Sequence, residues 1–351
     1  MTRTMKAAVL VAPRRFELRE VPVPEIGPRD ALIRVTRTGI CGTDIHIWNG
    51  HYAAESLPMV PGHEFSGTVA AVGAEVTHLT PGTRCVADIN IGCGTCYWCR
   101  RNEVLNCPEM VQVGIGRDGA FAEYVALPAR LVIPVPEGMD DRVAALTEPV
   151  ACVVRAADKA GIHAGQSVVV LGAGPIGNLH IQMLRLLGAA PIIAVDLSED
   201  RCRTAIEAGA DAAISDLDAV ASEVRRLTGG RGADVVIESV GSPGLYALAF
   251  QLIRKGGHVA FFGLTGPGEA VPVDILTTIL QENSLKGSVA GMGEDMQTAL
   301  TLLAHGRFRT EAFTRADYPL DAIAEAFETL AARPDDLKTQ IRISAEHQPD
   351  V

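Results

Sequence analysis

Aromatic residues are scarce in this 351-residue chain, at 5%, so its core must be built from Val, Leu, Ile and Ala. No apolar run reaches the roughly 18 residues that span a bilayer, so no membrane association is expected. A basic excess is missing as well: 31 Lys and Arg stand against 42 Asp and Glu, a net charge of −11. Proteins that grip a phosphate backbone need a cationic footprint, so nucleic acid is not expected as a partner. The apolar patch at residues 7–12 is short and runs straight into Pro13-Arg14-Arg15, unlike a secretory signal, and the expected location is the cytoplasm. With 48% hydrophobic residues and no low-complexity tract, disorder is excluded.

What the chain has in quantity is glycine (35), proline (20) and eight cysteines. Residues 1 to about 150 read as β-rich, with short β-branched runs at 5–11, 31–35, 66–72, 121–127 and 131–134 between Gly and Pro breaks. No helical period dominates before about residue 141, where Asp140-Asp141 can cap a helix through Val150. From about residue 165, six short apolar strands alternate with amphipathic helices, the pattern of a doubly wound parallel sheet. Helix resumes at 296–304 and 322–330, a strand follows at 339–343, and the tail from Ser344, which includes His347, is expected to fray.

Cytosolic cysteines seldom form disulfides, so their spacing has to explain them. Cys93, Cys96, Cys99 and Cys107 form C-x2-C-x2-C-x7-C, with Gly92, Gly94 and Pro108 permitting the chain to fold back between ligands. Four thiolates suit one structural Zn²⁺; reduced thiols, a redox pair and an iron–sulfur cluster are the alternatives. Cys85 and Cys202 read as small core residues.

A second, dispersed set consists of Cys41 in Cys41-Gly42-Thr43-Asp44-Ile45-His46, of His63-Glu64, and of Glu148 in Thr147-Glu148-Pro149. Cys, His and Glu together suit an open zinc site with an exchangeable position, where an alcohol can be acidified. Thr43 and His46 can pass its proton to solvent. The structural alternative for each residue alone is a hydrogen-bonded or packing role. Trp48, His51, Tyr52 and Arg117 read more readily as packing or surface than as substrate contacts.

Gly172-Ala173-Gly174-Pro175-Ile176-Gly177 follows an apolar strand and opens an amphipathic helix, the context a dinucleotide fingerprint requires. Its glycines permit the tight turn, the approach of backbone to pyrophosphate, and helix–strand packing. Asp196 follows 19 residues after Gly177, placed to accept from ribose hydroxyls and to repel a 2′-phosphate, so NAD is favoured over NADP. Arg201 can flank the adenine or tolerate a phosphate, and helix capping is the alternative reading of Asp196.

The Cys41-Gly42-Thr43-Asp44 element, the Gly62-His63-Glu64 element, the four-cysteine loop and the Gly172–Gly177 fingerprint, in this order, resemble the medium-chain, zinc-dependent dehydrogenase family over nearly the whole chain. The resemblance implies an α/β protein: a partly open β-barrel (GroES-like) catalytic domain of residues 1–150 and 295–351, with a Rossmann domain of 151–294 inserted and the active site in the cleft. It implies one catalytic and one structural zinc, NAD, a small-molecule alcohol substrate and a homo-oligomer, tetramer before dimer. The catalytic metal would be held by Cys41, His63 and Glu148, Glu64 or both, with Thr43 and His46 as the proton relay. Asp196 and Arg201 would face the adenosine ribose; Gly263, Leu264, Thr265, Ser288 and Val289 would line the nicotinamide.

Many alcohol dehydrogenases of the family carry Cys 24 residues before the first fingerprint glycine, where this chain has Glu148. An acidic residue there resembles the polyol (sorbitol-type) and threonine dehydrogenase branches. The Cys41–His46 element is similar to the threonine enzymes. The short stretch 49–60, and Glu148-Pro149-Val150 without a following Gly-Asn pair, are closer to polyol enzymes. A polyol, sugar alcohol or cyclitol is therefore the expected substrate, with threonine or another secondary alcohol as alternatives. From a different class, a non-catalytic NAD-binding zinc protein is opposed by the intact ligand and relay set, and a zinc-ribbon nucleic-acid module by the charge.

Overall fold

A computed structural model describes residues 3–333 and 336–344. The expected fraying beyond Ser344, and His347 with it, lie outside the described residues. The chain separates into two compact units: Met1–Ala151 with Gly291–Gly306 and Thr310–Val351, and Cys152–Ala290 with Arg307–Arg309.

The first unit begins with a hairpin, β1 (Thr4–Ala12) and β2 (Arg15–Pro22). It continues through β3 (Asp30–Gly39), α1 (Gly42–Trp48), β4 (Glu64–Val72), β5 (Arg84–Ala87), β6 (Asn90–Ile91), α2 (Tyr97–Arg100), β7 (Val111–Gln112), β8 (Tyr124–Pro128), β9 (Val132–Pro134) and α3 (Asp141–Ala144). Next come α4 (Thr147–Ala160), then β10 (Val168–Leu171), α5 (Pro175–Leu187), β11 (Ile192–Val195), α6 (Glu199–Ala208), β12 (Ala212–Ile214) and α7 (Val220–Leu227) of the second unit. That unit goes on with β13 (Ala233–Glu238), α8 (Pro243–Leu252), β14 (Ile253–Phe261), α9 (Ile275–Leu280) and β15 (Ser284–Gly287). The chain closes with α10 (Glu294–Ala304), β16 (Ala316–Pro319), α11 (Ile323–Ala332) and β17 (Thr339–Arg342) of the first unit.

In the first unit, seven strands form a sheet of order β16-β17-β3-β4-β5-β9, with β8 also paired to β3. β3 is the organising strand: it pairs antiparallel with β4, β8 and β17, and bulges at Leu32/Ile33 and Val35/Arg37 curl the β3–β4 pair. One core lies around Leu10, Trp48, Phe121 and Phe327, the last ring meeting Phe16, Trp48 and Phe121 at 4.9, 5.8 and 5.9 Å. A second is built from Ile33, Phe65, Val125 and Leu127. Few aromatics serve the core, but this cluster concentrates them.

The second unit is the doubly wound sheet, all parallel, of order β12-β11-β10-β13-β14-β15. Every residue of β10 and β11 is buried, which accounts for unbroken apolar runs in place of alternation. Strand order reverses between β10 and β13, the place where this architecture opens a ligand crevice beyond the strand ends.

Some elements differ from expectation. α1 has only seven residues, too few to show a helical period. The helix expected from Asp141 to Val150 is broken: Asp140 caps α3 by accepting from the Arg142 NH at 2.7 Å, and α4 starts afresh at Thr147.

Candidate active site and dinucleotide cradle

In the first unit the ends of two strands converge. Cys41 follows β3 as the N-cap of α1, in extended conformation. The Asp44 carboxylate reaches back to accept the Cys41 backbone NH at 2.8 Å, fixing the helix start. His63 immediately precedes β4, which Glu64 opens, pairing with Gly39 of β3. A Cβ at Gly39 would fall 2.2 Å from Glu64 Oε2, so only glycine leaves room for that carboxylate.

One sulfur, one imidazole nitrogen and one carboxylate oxygen from Cys41, His63 and Glu64 lie within 4.8 Å of one another. His63 and Glu64 are buried and Cys41 is half-buried. His63 Nδ1 and Asp44 Oδ1 are 3.4 Å apart, both buried and both lacking a hydrogen-bond partner. A carboxylate at one ring nitrogen is the usual means of orienting an imidazole for a metal at the other. Burial opposes charge on His63, but Asp44 and then Cys41 outweigh it and hold its pKa well above the ordinary value. Such a dense set of soft and hard donors around orphaned polar atoms fits Zn²⁺.

Lys338, just before β17, completes the cluster and had no sequence signal. Its ammonium donates to both oxygens of Glu64, at 2.8 and 2.6 Å, and to the Ile40 carbonyl at 3.2 Å, in a pair only 5% and 1% exposed. Burial disfavours the charged amine, yet Glu64, with Cys41 and Glu148 adding to it, raises its pKa above the ordinary value. Glu148, in the first turn of α4 and buried, is near enough to be felt by Lys338 but is not among the three clustered donors. Asp44 was also missed as a site residue, although its position three residues after Cys41 was visible.

Thr43 and His46 sit one turn apart on α1, hence on one face. Burial, then the neighbouring His51, lowers the His46 pKa, favouring the neutral ring. The lobe after β6 brings Cys93, Cys96, Cys99 and Cys107 within 4.8 Å of one another. Backbone NH groups of Cys93, Cys96 and Cys99 donate to the sulfurs of Cys107, Cys93 and Cys96 at 3.4, 3.4 and 3.5 Å. NH donors from Thr95 and Cys96 pull the Cys93 thiol down to about 6, toward the thiolate a metal requires, whereas burial and the neighbouring sulfurs push Cys99 up to about 12. These four thiols can hold a structural zinc.

The fingerprint occupies the turn from β10 into α5. Gly172 has φ +91 and Gly174 is the N-cap, with Pro175 at the first helical position. A Cβ at Gly177 would lie 1.8 Å from the Gly172 carbonyl oxygen, so helix and turn touch. Asp196 follows β11; its oxygens accept the NH groups of Ala173 and Ser198 at 2.8 and 2.9 Å, and Arg201 Nη1 stands 3.5 Å away. The cap of α6 is Ser198, not Asp196. Beyond β14 and β15, Leu264 and Val289 are half-exposed and the Ser288 hydroxyl is buried without a hydrogen-bond partner.

Comparison with known proteins decides the family. Residues 27–137 match the alcohol dehydrogenase GroES-like domain and residues 175–305 the zinc-binding dehydrogenase family. L-threonine 3-dehydrogenase of Legionella pneumophila (strain Corby) is 34% identical over 323 residues, 90% of this chain and 93% of that protein. The chain belongs to the zinc-binding alcohol dehydrogenase family. It is an NAD(P)-dependent oxidoreductase of the medium-chain class. Sorbitol dehydrogenase of Halalkalibacterium halodurans is 35% identical over 319 residues, 90% of this chain and 92% of that one. A zinc-binding dehydrogenase structure from Sinorhizobium meliloti 1021, bound to NADP, superposes with a TM-score of 0.90 at 32% identity, covering 97% and 100% of the two chains. Among the described residues, no helix is long and apolar enough to cross a membrane.

Proposed function

We propose that this dehydrogenase oxidises a secondary alcohol of a polyol, sugar alcohol or cyclitol to the ketone, reversibly, with hydride transfer to NAD. The observation that carries the substrate class is the acidic Glu148-Pro149 step combined with the short segment after α1.

Cys41 and His63, with Glu64, Glu148 or both, would hold the catalytic zinc, which when bound supplies a Lewis acid for the alcohol oxygen. Thr43 would relay the alcohol proton, its hydroxyl giving its own proton to the ring of His46, whose lowered pKa favours the neutral form, as it takes up that of the alcohol, and His46 passes it outward. In the other unit, the NH groups of the fingerprint turn and the N-terminus of α5 receive the pyrophosphate. Asp196 receives the adenosine ribose hydroxyls and turns away a 2′-phosphate, which favours NAD. Gly263, Leu264, Thr265, Ser288 and Val289 line the nicotinamide.

The protein also works as a homo-oligomer, a tetramer before a dimer. β15 is one of the two edge strands of its sheet, and Ile275, Leu276, Ile279 and Leu280 of α9 are 64–74% exposed. Apolar surface beside an open strand edge supports pairing with a second copy.

Threonine is the second reading, favoured by the Cys41–His46 element. Initial rates of NADH formation on polyols, cyclitols, threonine and simple secondary alcohols decide between them. The highest kcat/KM on a polyol or cyclitol is expected; activity confined to threonine would overturn the substrate class while leaving the chemistry standing.

A further inference from the structure

Glu238 ends β13, beside the point where strand order reverses, and its side chain is fully buried. A buried carboxylate is costly unless its oxygens are satisfied. Here the chain beyond it curls into a hook: Val240 NH donates at 3.1 Å, Gly241 NH at 3.0 and 2.9 Å, and Ser242 NH at 3.4 Å. The curl takes Gly241 to φ +87, a conformation open to glycine.

The hook bears on two neighbours. On one side, the Ser239 hydroxyl lies 2.8 and 3.0 Å from the carbonyl oxygens of Leu171 and Gly172. A Cβ at Gly172 would fall 2.4 Å from Val240 Cγ2 and 3.0 Å from Ser239 Oγ, so hook and fingerprint turn are in direct contact. On the other side, Phe262 and Gly263 NH groups donate to the Glu238 carbonyl at 3.0 and 2.9 Å. A Cβ at Gly263 would fall 2.0 Å from the Gly241 nitrogen and 2.5 Å from Glu238 Oε2, and one at Gly241 would fall 2.1 Å from the Leu264 oxygen. Burial, then the Glu238 charge, pushes the Tyr246 phenol up, so its hydroxyl stays protonated and donates to the Gly263 carbonyl.

We propose that Glu238 is a positioning residue for the dinucleotide: its carboxylate shapes the 239–242 hook, which sets the spacing between the fingerprint turn and the 263–265 loop. The inference rests on the reading of those two segments as the pyrophosphate and nicotinamide ends of the cradle. Rigid spacing matters because NADH must engage both ends at once, whereas AMP engages only the Asp196 side.

The test is the binding of NADH and of AMP to Glu238→Gln, an isosteric change that turns an amide NH₂ toward the hook's NH donors. NADH affinity is expected to fall about tenfold while AMP affinity stays within about twofold. A general loss of structure would weaken both together, and that result, or an unchanged NADH affinity, overturns the proposal. If Glu238→Gln does not fold, Ser239→Ala replaces it: NADH should weaken about threefold with AMP unchanged, and no change overturns the proposal. Gly174→Asp separates the underlying reading. A Cβ there meets nothing closer than 3.6 Å, the nearest atoms being those of the Arg201 guanidinium, so the fold accepts it, and the added carboxylate would put negative charge at the turn that receives the pyrophosphate and would engage Arg201. If that variant still binds NADH normally, the cradle assignment itself is wrong.

Discussion

The Glu64–Lys338 pair shows what one residue contributes and how little of it sequence discloses. Glu64 was legible because it adjoins His63; Lys338 was not, because 274 positions separate the partners and a lone lysine before a strand has no pattern. Removing one member of a buried pair strands the other charge, at a cost of about 3–5 kcal/mol. Lys338→Met should therefore lower the unfolding free energy by that order in denaturant titration, and adding Glu64→Gln should restore much of it. A loss in the double variant equal to the sum of the singles would show that the two do not act as a pair. His46 makes a prediction for rate. Since burial and His51 lower its pKa, the neutral, proton-accepting ring persists below the ordinary value of about 6.5, and kcat/KM should hold as the pH falls through 6.5 and drop only below it. In His46→Asn, turnover should fall about 10²-fold with zinc content unchanged; a wild-type rate would remove His46 from the relay.

Elements were legible in proportion to their length and the strictness of their glycine demands. The turn from β10 into α5 was readable because three glycines are each forced by geometry, Gly177 most clearly, where a Cβ would collide with the Gly172 carbonyl. α1 escaped notice for its brevity, although it carries the relay pair, and α9 for its lack of an apolar stripe facing a core. The 238–242 hook was hidden because the buried position of Glu238 depends on the strands on either side of it, β10 and β14. α5 offers a prediction of its own. His180 is fully buried against the Phe262 ring at 4.9 Å, and burial lowers its pKa to about 3. Between about pH 6.5 and that value the unfolded chain binds a proton that the folded chain refuses, so this contribution to stability is present above about pH 6.5. It is lost as the pH falls, by at most about 1.4 kcal/mol per unit. His180→Leu should show a smaller drop in unfolding free energy from pH 7.5 to about 4.5 than the wild type; an equal drop would show that His180 is not the group responsible.

At the scale of the whole chain, alternation of buried strands with helices was enough to anticipate the parallel sheet, because βαβ connections leave few topologies open. The strand order of the first unit was not readable: β17 lies about 300 residues from β3, and register between such distant strands is set by packing. Surface association belongs to this scale too. Ile279→Asp with Leu280→Asp should convert the proposed oligomer to smaller species in sedimentation velocity, since both side chains are more than 60% exposed and apolar; an unchanged sedimentation coefficient would remove this face from the proposal. The central claim is that Cys41, His63 and their carboxylate partner make a zinc site on which NAD-linked alcohol oxidation depends, separate from the four-cysteine lobe. It is tested most directly by measuring zinc per chain and alcohol-dependent NADH formation on the same samples of wild type and His63→Ala. The account predicts two zinc ions in the active wild type, and in the variant the loss of one zinc together with NADH formation. Full activity in His63→Ala, or in zinc-free wild type, would contradict it.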